Sequence, residues 1–293
     1  MRRAVGCVAD ASEVFLEQAW RLLQSWRWFA GSVADAPFHV CVVGGAPEPY
    51  RRRYAALGAT VHAVERFGDR HPTGNKLRFF EVAEVMAADH MLLLDCDVAV
   101  VQDPADLFAS PGLTAKLADV ATVSVPVFER AFAHFGLPMP PAVLETTVWN
   151  HATIPYFNSG VISLSRDAAH RLAPTWTRFN GELAGVFASF GGEAHFCEQA
   201  SLSLALVATG VPYRLVGNAM NFPAHFRDQP LDTPFAQEDP VLIHYHSLVD
   251  ANGRLLPSRY PRVNQRIAAL NARLAQAAGA ARDDAHGRER ARA

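Results

Sequence analysis

Lysine is almost absent from this chain of 293 residues. Only Lys76 and Lys116 are lysines among the 27 basic residues, so nearly every positive charge is an arginine. An ammonium group is therefore a rare choice here, and Lys76 becomes a candidate for a specific binding role. The 29 acidic residues leave a formal net charge of -2, which excludes the strongly basic surface of a nucleic-acid-binding protein. Recognition of a partner must come from a local site.

Long apolar runs and closely spaced cysteines are also missing. No run approaches the roughly 20 residues of a membrane span, and Asp10 and Glu13 interrupt the first segment before a signal-peptide core forms. We therefore expect a cytoplasmic protein. The four cysteines lie far apart without C-x-x-C spacing, which predicts buried thiols rather than disulfides or zinc ligands: Cys7, Cys41, Cys96 and Cys197.

Strand and helix patterns alternate over the first hundred residues. Strands are predicted where short apolar segments end at turn residues: 3–9, 38–44, 60–64 and 90–95. Amphipathic spacing predicts helices over 13–29, 47–57 and 76–88, and a polar loop over 65–75. This alternation predicts right-handed crossovers and a mainly parallel sheet, with ligands beyond the carboxyl ends of the strands. Asp10 and Asp95 both fall at such ends.

The second half is less regular. The predicted helices cover 105–120, 167–188, a segment after Gly191 and Gly192, and a stretch that starts at Pro261. The predicted strands are 119–127, 157–165 and 241–248. Residues 126–155 hold five prolines and are interpreted as an irregular excursion that covers a substrate, whereas residues 285–293 are expected to be disordered.

The segment HMLLLDCDVAVVQDP places Asp95 and Asp97 one residue apart within an apolar run. If the strand continues through both, their side chains share a face and Cys96 points to the other. Two such carboxylates repel in a low-dielectric setting, so they must share a proton, pair with a cation or hold a metal ion. The simpler alternative is that the strand ends at Asp95 and both carboxylates cap loop amides.

A D-x-D on a strand also occurs in the haloacid-dehalogenase phosphatases. That family places the motif on its first strand and needs a later lysine with a further acidic pair. Here three predicted strands precede Asp95, and Lys116 lacks an acidic partner motif. The sequence disfavours this alternative.

Six ordered segments carry a resemblance to a known family: GCVADASEVFLEQAWRLLQSW, HMLLLDCDVAVVQDPADLF, YFNSGVISLS, CEQASLSLAL, NAMNFP and LIHYHSL. Together they make residues 3–255 resemble the glycogenin-like family 8 retaining glycosyltransferases. The resemblance implies an α/β fold of the GT-A type, with a Rossmann-like, mainly parallel, mixed sheet flanked by helices. We expect one such domain over 1–260, with a nucleotide-binding half (1–104) and an acceptor half (105–260), followed by a helix and tail (261–293).

The resemblance also implies roles for individual residues. Asp95, Asp97 and His244 would bind a divalent ion, with Mn²⁺ expected and Mg²⁺ as the alternative. The implied donor-binding residues are Val8, Ala9, Asp10, Lys76, Arg78, Asp95, Cys96, Ser159 and His246. The implied catalytic residues are Gln199, Glu198 and Asn158.

Structural alternatives exist for several of these residues. Lys76 could simply begin a helix and Asp10 could be only a helix cap. Asn158 and Ser159 could form a turn, Glu198 could be solvated, and either His244 or His246 could be the metal ligand.

The chain departs from the family pattern at three places. Family members follow the late histidine with Gly-x-x-Lys-Pro-Trp, whose lysine grips the diphosphate, whereas this chain reads HYHSLVDANGRLLPSRY. Arg254 is a weak candidate to replace that lysine. The family's Asp-Gln pair is Glu198–Gln199 here, and an arginine-bearing helix has become GNKLRFF. These changes leave the donor nucleotide and the retention of configuration open.

The expected function is transfer of a hexose from a nucleotide-diphosphate sugar, UDP-sugar first, to an acceptor hydroxyl, with retention. One alternative is a nucleotidylyltransferase, although CVADASEVF lacks that class's glycine-rich loop. The other is a non-catalytic carbohydrate-binding protein with the same fold.

The sequence does not identify the acceptor substrate. The excursion aromatics could shape an acceptor site or only pack: Phe128, Phe132, Phe135 and Trp149. The final helix carries Arg262, Arg266 and Arg273 and could contact an anionic membrane or form a homodimer, with packing on the core as the simpler interpretation.

Overall fold

The computed structural model describes residues 1–68 and 72–290, and the side chains of its last helix up to residue 279. Residues 69–71 of the expected polar loop and residues 291–293 of the expected tail lie outside the described residues. Within the described part, no helix is long and apolar enough to span a membrane.

Twelve strands and seven α-helices follow one another in the described chain. The strands are β1 (Arg3–Asp10), β2 (Phe38–Val43), β3 (Ala59–Val64), β4 (His90–Leu94), β5 (Val98–Val100), β6 (Leu113–Leu117), β7 (Leu144–Glu145), β8 (Ala152–Thr153), β9 (Phe157–Ser165), β10 (Tyr213–Leu215), β11 (Phe222–Pro223) and β12 (Leu242–His244). The α-helices are α1 (Glu13–Phe29), α2 (Glu48–Ala56), α3 (Ala83–Met86), α4 (Val125–His134), α5 (Arg166–Ala184), α6 (Cys197–Thr209) and α7 (Pro261–Arg290).

The central sheet has seven strands in the order β10-β6-β9-β4-β1-β2-β3. Strands β1 to β4 pair in parallel, as do β6 and β10, whereas β9 runs antiparallel to both β4 and β6. The mixed, mainly parallel sheet predicted from the sequence is therefore confirmed. Its parallel strands direct the ends of β1 and β4 to the same edge, where a ligand site is expected.

Helices cover both faces of this sheet. One apolar cluster packs α4, α5 and α6 against one face, and a second packs α1 and α2 against the other. All four cysteines are buried free thiols, as the sequence predicts. Buried apolar side chains on both faces explain why the central strands consist of nearly continuous hydrophobic residues.

A second sheet of three strands, in the order β11-β12-β5, lies beyond the carboxyl end of β4. A third apolar cluster joins it to α7 through Val263, Ile267 and Leu270. The final helix thus buries its apolar side against the core, which favours the simpler interpretation over a membrane or subunit contact. It continues to Arg290, into the segment expected to be disordered, because alanine and arginine favour helix.

Two predictions for residues 105–127 are wrong. The predicted helix over 105–120 is a short 3₁₀-helix (Ala105–Phe108) followed by β6, since Pro111 and Gly112 end the helical turn. Only glycine fits at position 112, because a Cβ there would lie 2.0 Å from the Pro212 carbonyl oxygen. The predicted strand over 119–127 is instead a bend that leads into α4, whose first turn contains a proline.

Three further predicted elements have different bounds. The predicted helix over 76–88 is a 3₁₀-helix (Pro72–Glu81) followed by α3, because the buried Gly74 and Asn75 pack this segment tightly. The predicted strand over 241–248 is only β12, so His246 lies beyond the strand. The excursion over 126–155 contains α4 and the β7–β8 hairpin, and α4 buries Phe128 and Phe132 in the core.

Candidate functional site

Asp95, Cys96 and Asp97 form the turn that joins β4 to β5. The Asp95 amide donates to the Gly160 carbonyl oxygen (2.8 Å), and the Tyr245 amide donates to the Asp97 carbonyl oxygen (3.0 Å). The turn is thus fixed to β9 on one side and to the end of β12 on the other. The strand ends at Leu94, so the alternative in which both aspartates continue one strand and share its face does not apply.

The two carboxylates avoid mutual repulsion by having different partners. Lys76 Nζ lies 2.8 Å from Asp95 Oδ1, whereas His244 Nε2 lies 3.1 Å from Asp97 Oδ1. Burial opposes ionisation of Asp97, but the neighbouring His244 outweighs it and holds the pKa of this carboxyl well below its usual value. Lys76 and His244 thus provide the partners that two neighbouring carboxylates were expected to need.

Lys76 is the centre of a partly buried charged network. Its Nζ donates to Ser159 Oγ (3.0 Å) and lies 3.5 Å from Glu198 Oε2, and Ser159 Oγ donates to the same Glu198 oxygen (2.8 Å). Burial works to lower the pKa of Lys76, but Asp95 and Glu198 raise it overall. Lys76 is therefore a charged residue that lines the site, not a solvated residue at the start of a helix.

Glu198 supplies a free acceptor in this network. Its side chain is 1% exposed, and burial raises its pKa despite Lys76. In the described part of the chain, Oε1 has no hydrogen-bond partner. A buried carboxylate oxygen without a partner is costly, so this atom is suited to accept a ligand hydroxyl. The alternative of a solvated Glu198 is excluded by its burial.

Three side chains can hold a metal ion: Asp97, His244 and His246, whose ligand atoms all lie within 4.8 Å of one another. His246 Nδ1 lies 3.6 Å from Asp97 Oδ2. Adjacent ligands of one octahedral ion lie about 3 Å apart. A small movement of these side chains would therefore let all three bind one ion. Burial and the charge of His244 lower the pKa of His246 to about 3, which keeps this imidazole neutral and able to coordinate.

Backbone geometry supports this arrangement. His246 has φ 53°, in the left-handed region that few non-glycine residues adopt, and its ring stacks on His244 with centroids 4.1 Å apart. Gly160 allows the His244 ring to approach, because a Cβ there would lie 2.7 Å from His244 Cε1. A carboxylate with two imidazoles is a donor set suited to a divalent metal ion.

Asn158 is fixed at the start of β9. Its Nδ2 donates to Asp119 Oδ2 (2.8 Å), while its Oδ1 accepts from the Gly160 amide (2.9 Å) and from Asn221 Nδ2 (3.1 Å). These contacts are more than a turn requires, and they place the amide at the edge of the same site.

A cleft of about 710 Å³ contains these groups. Most of the predicted site residues line it: Val8, Ala9, Asp10, Lys76, Asp95, Cys96, Asp97, Asn158, Glu198, Gln199, His244 and His246. Asp10 lies at the end of β1, where Asn75 Nδ2 and Arg66 Nη2 approach its Oδ1 at 3.5 and 3.4 Å.

The structure does not bring three candidates to the cleft surface. Arg78 donates to Glu81 Oε1 (2.6 Å) and to the carbonyl oxygens of Glu65 and Arg66, and it does not line the cleft. Ser159 is fully buried behind Lys76 and Glu198. Arg254 lies in a turn closed by the Asp250 carboxylate, so the replacement of the missing lysine finds no support there.

Sequence reasoning missed several residues that line the cleft: Asn75, Asp119, Phe15, His195, Phe196, His225 and Phe226. His225 packs edge-on to His246 with centroids 4.3 Å apart. The segment NAMNFPAHF carried a signal for His225, because it contains β11, the strand that pairs with β12, and His225 lies just after that strand. Asp119 was hidden in a segment assigned to a strand.

Comparisons with known proteins agree with this fold. Residues 14–210 match the family model of the Rhodobacterales glycosyltransferase domain. No match was found among curated protein sequences. Galactosyltransferase LgtC, solved with donor and acceptor sugar analogues, is 16% identical over 92% of this chain and 95% of its own, with a TM-score of 0.59.

Two further solved structures share the architecture. Glycosyltransferase GlyE of Streptococcus pneumoniae TIGR4 is 15% identical over 94% of this chain and 63% of its own, with a TM-score of 0.57. Mouse xyloside xylosyltransferase 1 is 13% identical over 84% of this chain and 98% of its own, with a TM-score of 0.51. At such identities the likeness establishes the fold, and the family match establishes the enzyme class. The chain belongs to the Rhodobacterales glycosyltransferase domain family and is a glycosyltransferase of the GT-A fold that resembles family 8.

Proposed function

We propose that this enzyme transfers a hexose from a UDP-sugar to an acceptor hydroxyl, with a divalent metal ion and with retention of configuration. One observation carries the proposal. Three side chains that could hold a cation (Asp97, His244 and His246) and a partly buried ion pair (Lys76 with Asp95) line one cleft at the carboxyl ends of β1 and β4. The likeness to LgtC, whose structure holds donor and acceptor sugar analogues, supports a sugar donor in this cleft.

The proposed metal site uses Asp97, His244 and His246, whereas Asp95, at the start of the same turn, pairs with Lys76. A bound ion would neutralise the departing nucleoside diphosphate, which is the charge that most needs stabilisation. Mn²⁺ is the proposed ion because the available donors include imidazole nitrogen, and Mg²⁺ is the weaker alternative. Arg78 is not retained in the donor site, since its contacts hold it outside the cleft.

Each protein group then has a defined task at the donor. Val8, Ala9 and Asp10 line the cleft at the end of β1 and would contact the base and ribose, and Lys76 places a positive charge beside Asp95. Glu198 Oε1 accepts a sugar hydroxyl, because this buried oxygen has no partner in the described part of the chain. Gln199 and Asn158, both on the cleft surface, would face the sugar at the reaction centre.

Calorimetry of UDP binding tests the metal assignment. Wild-type protein should bind UDP with Mn²⁺ and lose most of that affinity in EDTA, and Asp97→Asn should abolish the metal-dependent part. The exposed Asp232 lies outside the cleft, so Asp232→Asn is the matched control and should bind as the wild type does. Unaltered Mn²⁺-dependent affinity in Asp97→Asn would contradict the metal site.

Donor hydrolysis separates the proposal from its alternatives. A transferase with no acceptor should slowly release free UDP from UDP-galactose or UDP-glucose when Mn²⁺ is present. A carbohydrate-binding protein would release none, and a nucleotidylyltransferase would form UTP with added pyrophosphate. Either of these two results would replace the proposed function.

A further inference from the structure

Gln18 lies on α1 between the two segments that carry the proposed metal ligands. Its Nε2 donates to the carbonyl oxygen of His246 (3.2 Å), and its Oε1 accepts from the thiol of Cys96 (3.4 Å). The side chain is half-buried and does not line the cleft. One amide therefore bridges the turn that joins β4 to β5 and the segment that follows β12.

The chemistry of the two partners fixes how this amide is turned. A backbone carbonyl can only accept, so the Gln18 atom that faces His246 is the nitrogen. The Gln18 oxygen then faces Cys96, whose S–H is a weak donor. Gln18 uses a donor and an acceptor at the same time, so a side chain that is shorter or lacks an amide cannot make both contacts.

His246 depends on such contacts because its backbone is in the left-handed region. Its φ is 53°, and a non-glycine residue keeps this conformation only where its surroundings hold it there. The ring of His246 stacks on His244, and its Nδ1 lies 3.6 Å from Asp97 Oδ2. Gln18 therefore holds the backbone of the residue whose imidazole lies beside this carboxylate.

A second side chain of α1 holds the same segment at other points. Arg21 is buried on the face of α1 that carries Gln18, and it donates to Tyr245 OH and to the Gly253 carbonyl oxygen, both at 2.7 Å. The Tyr245 amide in turn donates to the Asp97 carbonyl oxygen. Arg21 thus fixes the course of the segment, whereas Gln18 fixes the backbone of His246 itself.

We propose that Gln18 is a positioning residue for the metal site, because it ties His246 to the turn that carries Asp97 and so lets both imidazoles reach one ion. This inference rests on the proposed function, since it takes Asp97, His244 and His246 as the ligands. Without Gln18, His246 should relax away from Asp97 and leave the ion to Asp97 and His244. Loss of a group that supports a metal ligand commonly lowers metal affinity by about 10–100-fold.

The test measures Mn²⁺ binding to Gln18→Met in the absence of nucleotide. Methionine has nearly the length of glutamine but offers no N–H to His246. A titration followed by electron paramagnetic resonance should show an affinity for Mn²⁺ that is about tenfold lower than in the wild type. The electron spin echo of the bound ion, which coordinated imidazole nitrogens modulate, should indicate two imidazoles in the wild type and one in the variant.

Two further variants separate positioning from folding. Gln18→Asn keeps an amide on a side chain that is one methylene shorter, so it should also lose the second imidazole, and it decides the question if Gln18→Met does not fold. Gln24 is buried further along the same helix, and the described hydrogen bonds to Cys96 and His246 come from Gln18 instead. Gln24→Met is therefore the matched control and should keep the wild-type affinity and both imidazoles.

The inference and the proposed function fail in different ways. If the wild type binds Mn²⁺ through two imidazoles and both Gln18 variants do the same with unchanged affinity, the positioning role is overturned and the function stands. Lower affinity with two imidazoles still coordinated also overturns it, as does a single imidazole in the wild type. Wild-type protein that binds no Mn²⁺ would instead overturn the proposed metal-dependent function.

Discussion

Gly160 sets how close β9 can approach the proposed metal ligands. A Cβ at this position would lie 2.7 Å from Cε1 and 2.9 Å from Nδ1 of His244, which is itself buried. Gly160→Ala should therefore displace the imidazole, destabilise the fold by about 1–3 kcal/mol and weaken Mn²⁺ binding. Urea unfolding and Mn²⁺ titration measure the two effects.

Gly181 provides the opposite case. It lies in the last turn of α5, and a Cβ there would meet nothing within 4 Å. Gly181→Ala should therefore stabilise the protein by about 0.5–1 kcal/mol and leave Mn²⁺ binding unchanged. Equal effects of the two substitutions would contradict the role assigned to Gly160.

Single residues show where sequence reasoning succeeds. Lys76 stood out because lysine is rare, and the structure places it against Asp95 and Glu198. The partners of Asp97 were less predictable. His246 lies beyond β12 with a positive φ, and that backbone reversal, which strand periodicity does not encode, brings its ring beside His244. Asp119 was missed for a similar reason. Its side chain contacts Lys116 and Asn158, and neither contact can be read from the local sequence pattern.

At the scale of elements, two serines precede helices in different ways. Ser165 Oγ accepts from the Ala168 amide (3.3 Å) at the start of α5, whereas Ser12 before α1 makes no side-chain cap hydrogen bond. Ser165→Ala should lower the free energy of unfolding by about 1 kcal/mol, because the Ala168 amide loses its hydrogen-bond acceptor. Ser12→Ala should lower it much less. Thermal unfolding of both variants checks this difference, and equal losses would contradict it.

Elements with one strong signal were predicted well. The bounds of α1 and β9 agree with the sequence prediction, because amphipathic spacing in one and a continuous apolar run in the other leave little choice. The region 105–127 failed because β6 is short and buried, and Pro111, Gly112 and Pro126 were weighed as part of longer elements. Tertiary pairing with β9 and β10, invisible to local patterns, decides that segment.

At the scale of the whole molecule, the Asp97–His244 pair links stability to pH and to metal. The lowered pKa of Asp97 adds stability above about pH 4, which is lost as the pH falls through its folded-state pKa. Burial works against a charged His244, yet Asp97 raises its pKa, so that contribution is present below about pH 6.5 and is lost as the pH rises through the folded-state pKa. The pair stabilises the metal-free protein most between about pH 4 and 6.5.

Metal binding should reverse part of this pH dependence of stability. Mn²⁺ competes with the proton of His244, so the rise in melting temperature on adding Mn²⁺ should be larger at pH 8 than at pH 6. His244→Gln should remove most of the Mn²⁺ effect at both pH values. A rise that is the same at pH 6 and pH 8 in the wild type would contradict coordination by His244.

The fold of the whole molecule was the most predictable level. Alternating strands and helices fix a mainly parallel sheet, and a parallel sheet fixes the edge at which Asp10 and the turn over 95–97 meet. The second sheet was not predicted, because β5, β11 and β12 have two or three residues each and carry little pattern. That small sheet nevertheless brings His244 to Asp97.

A crystal structure with UDP and Mn²⁺, recorded at a wavelength where manganese scatters anomalously, tests the central claim most directly. We predict one anomalous peak about 2.2 Å from Asp97 and His244, with the diphosphate beside it and the uridine at Val8, Ala9 and Asp10. UDP bound in the cleft without a peak at Asp97, or a peak away from the turn that joins β4 to β5, would contradict the proposed metal-assisted glycosyl transfer.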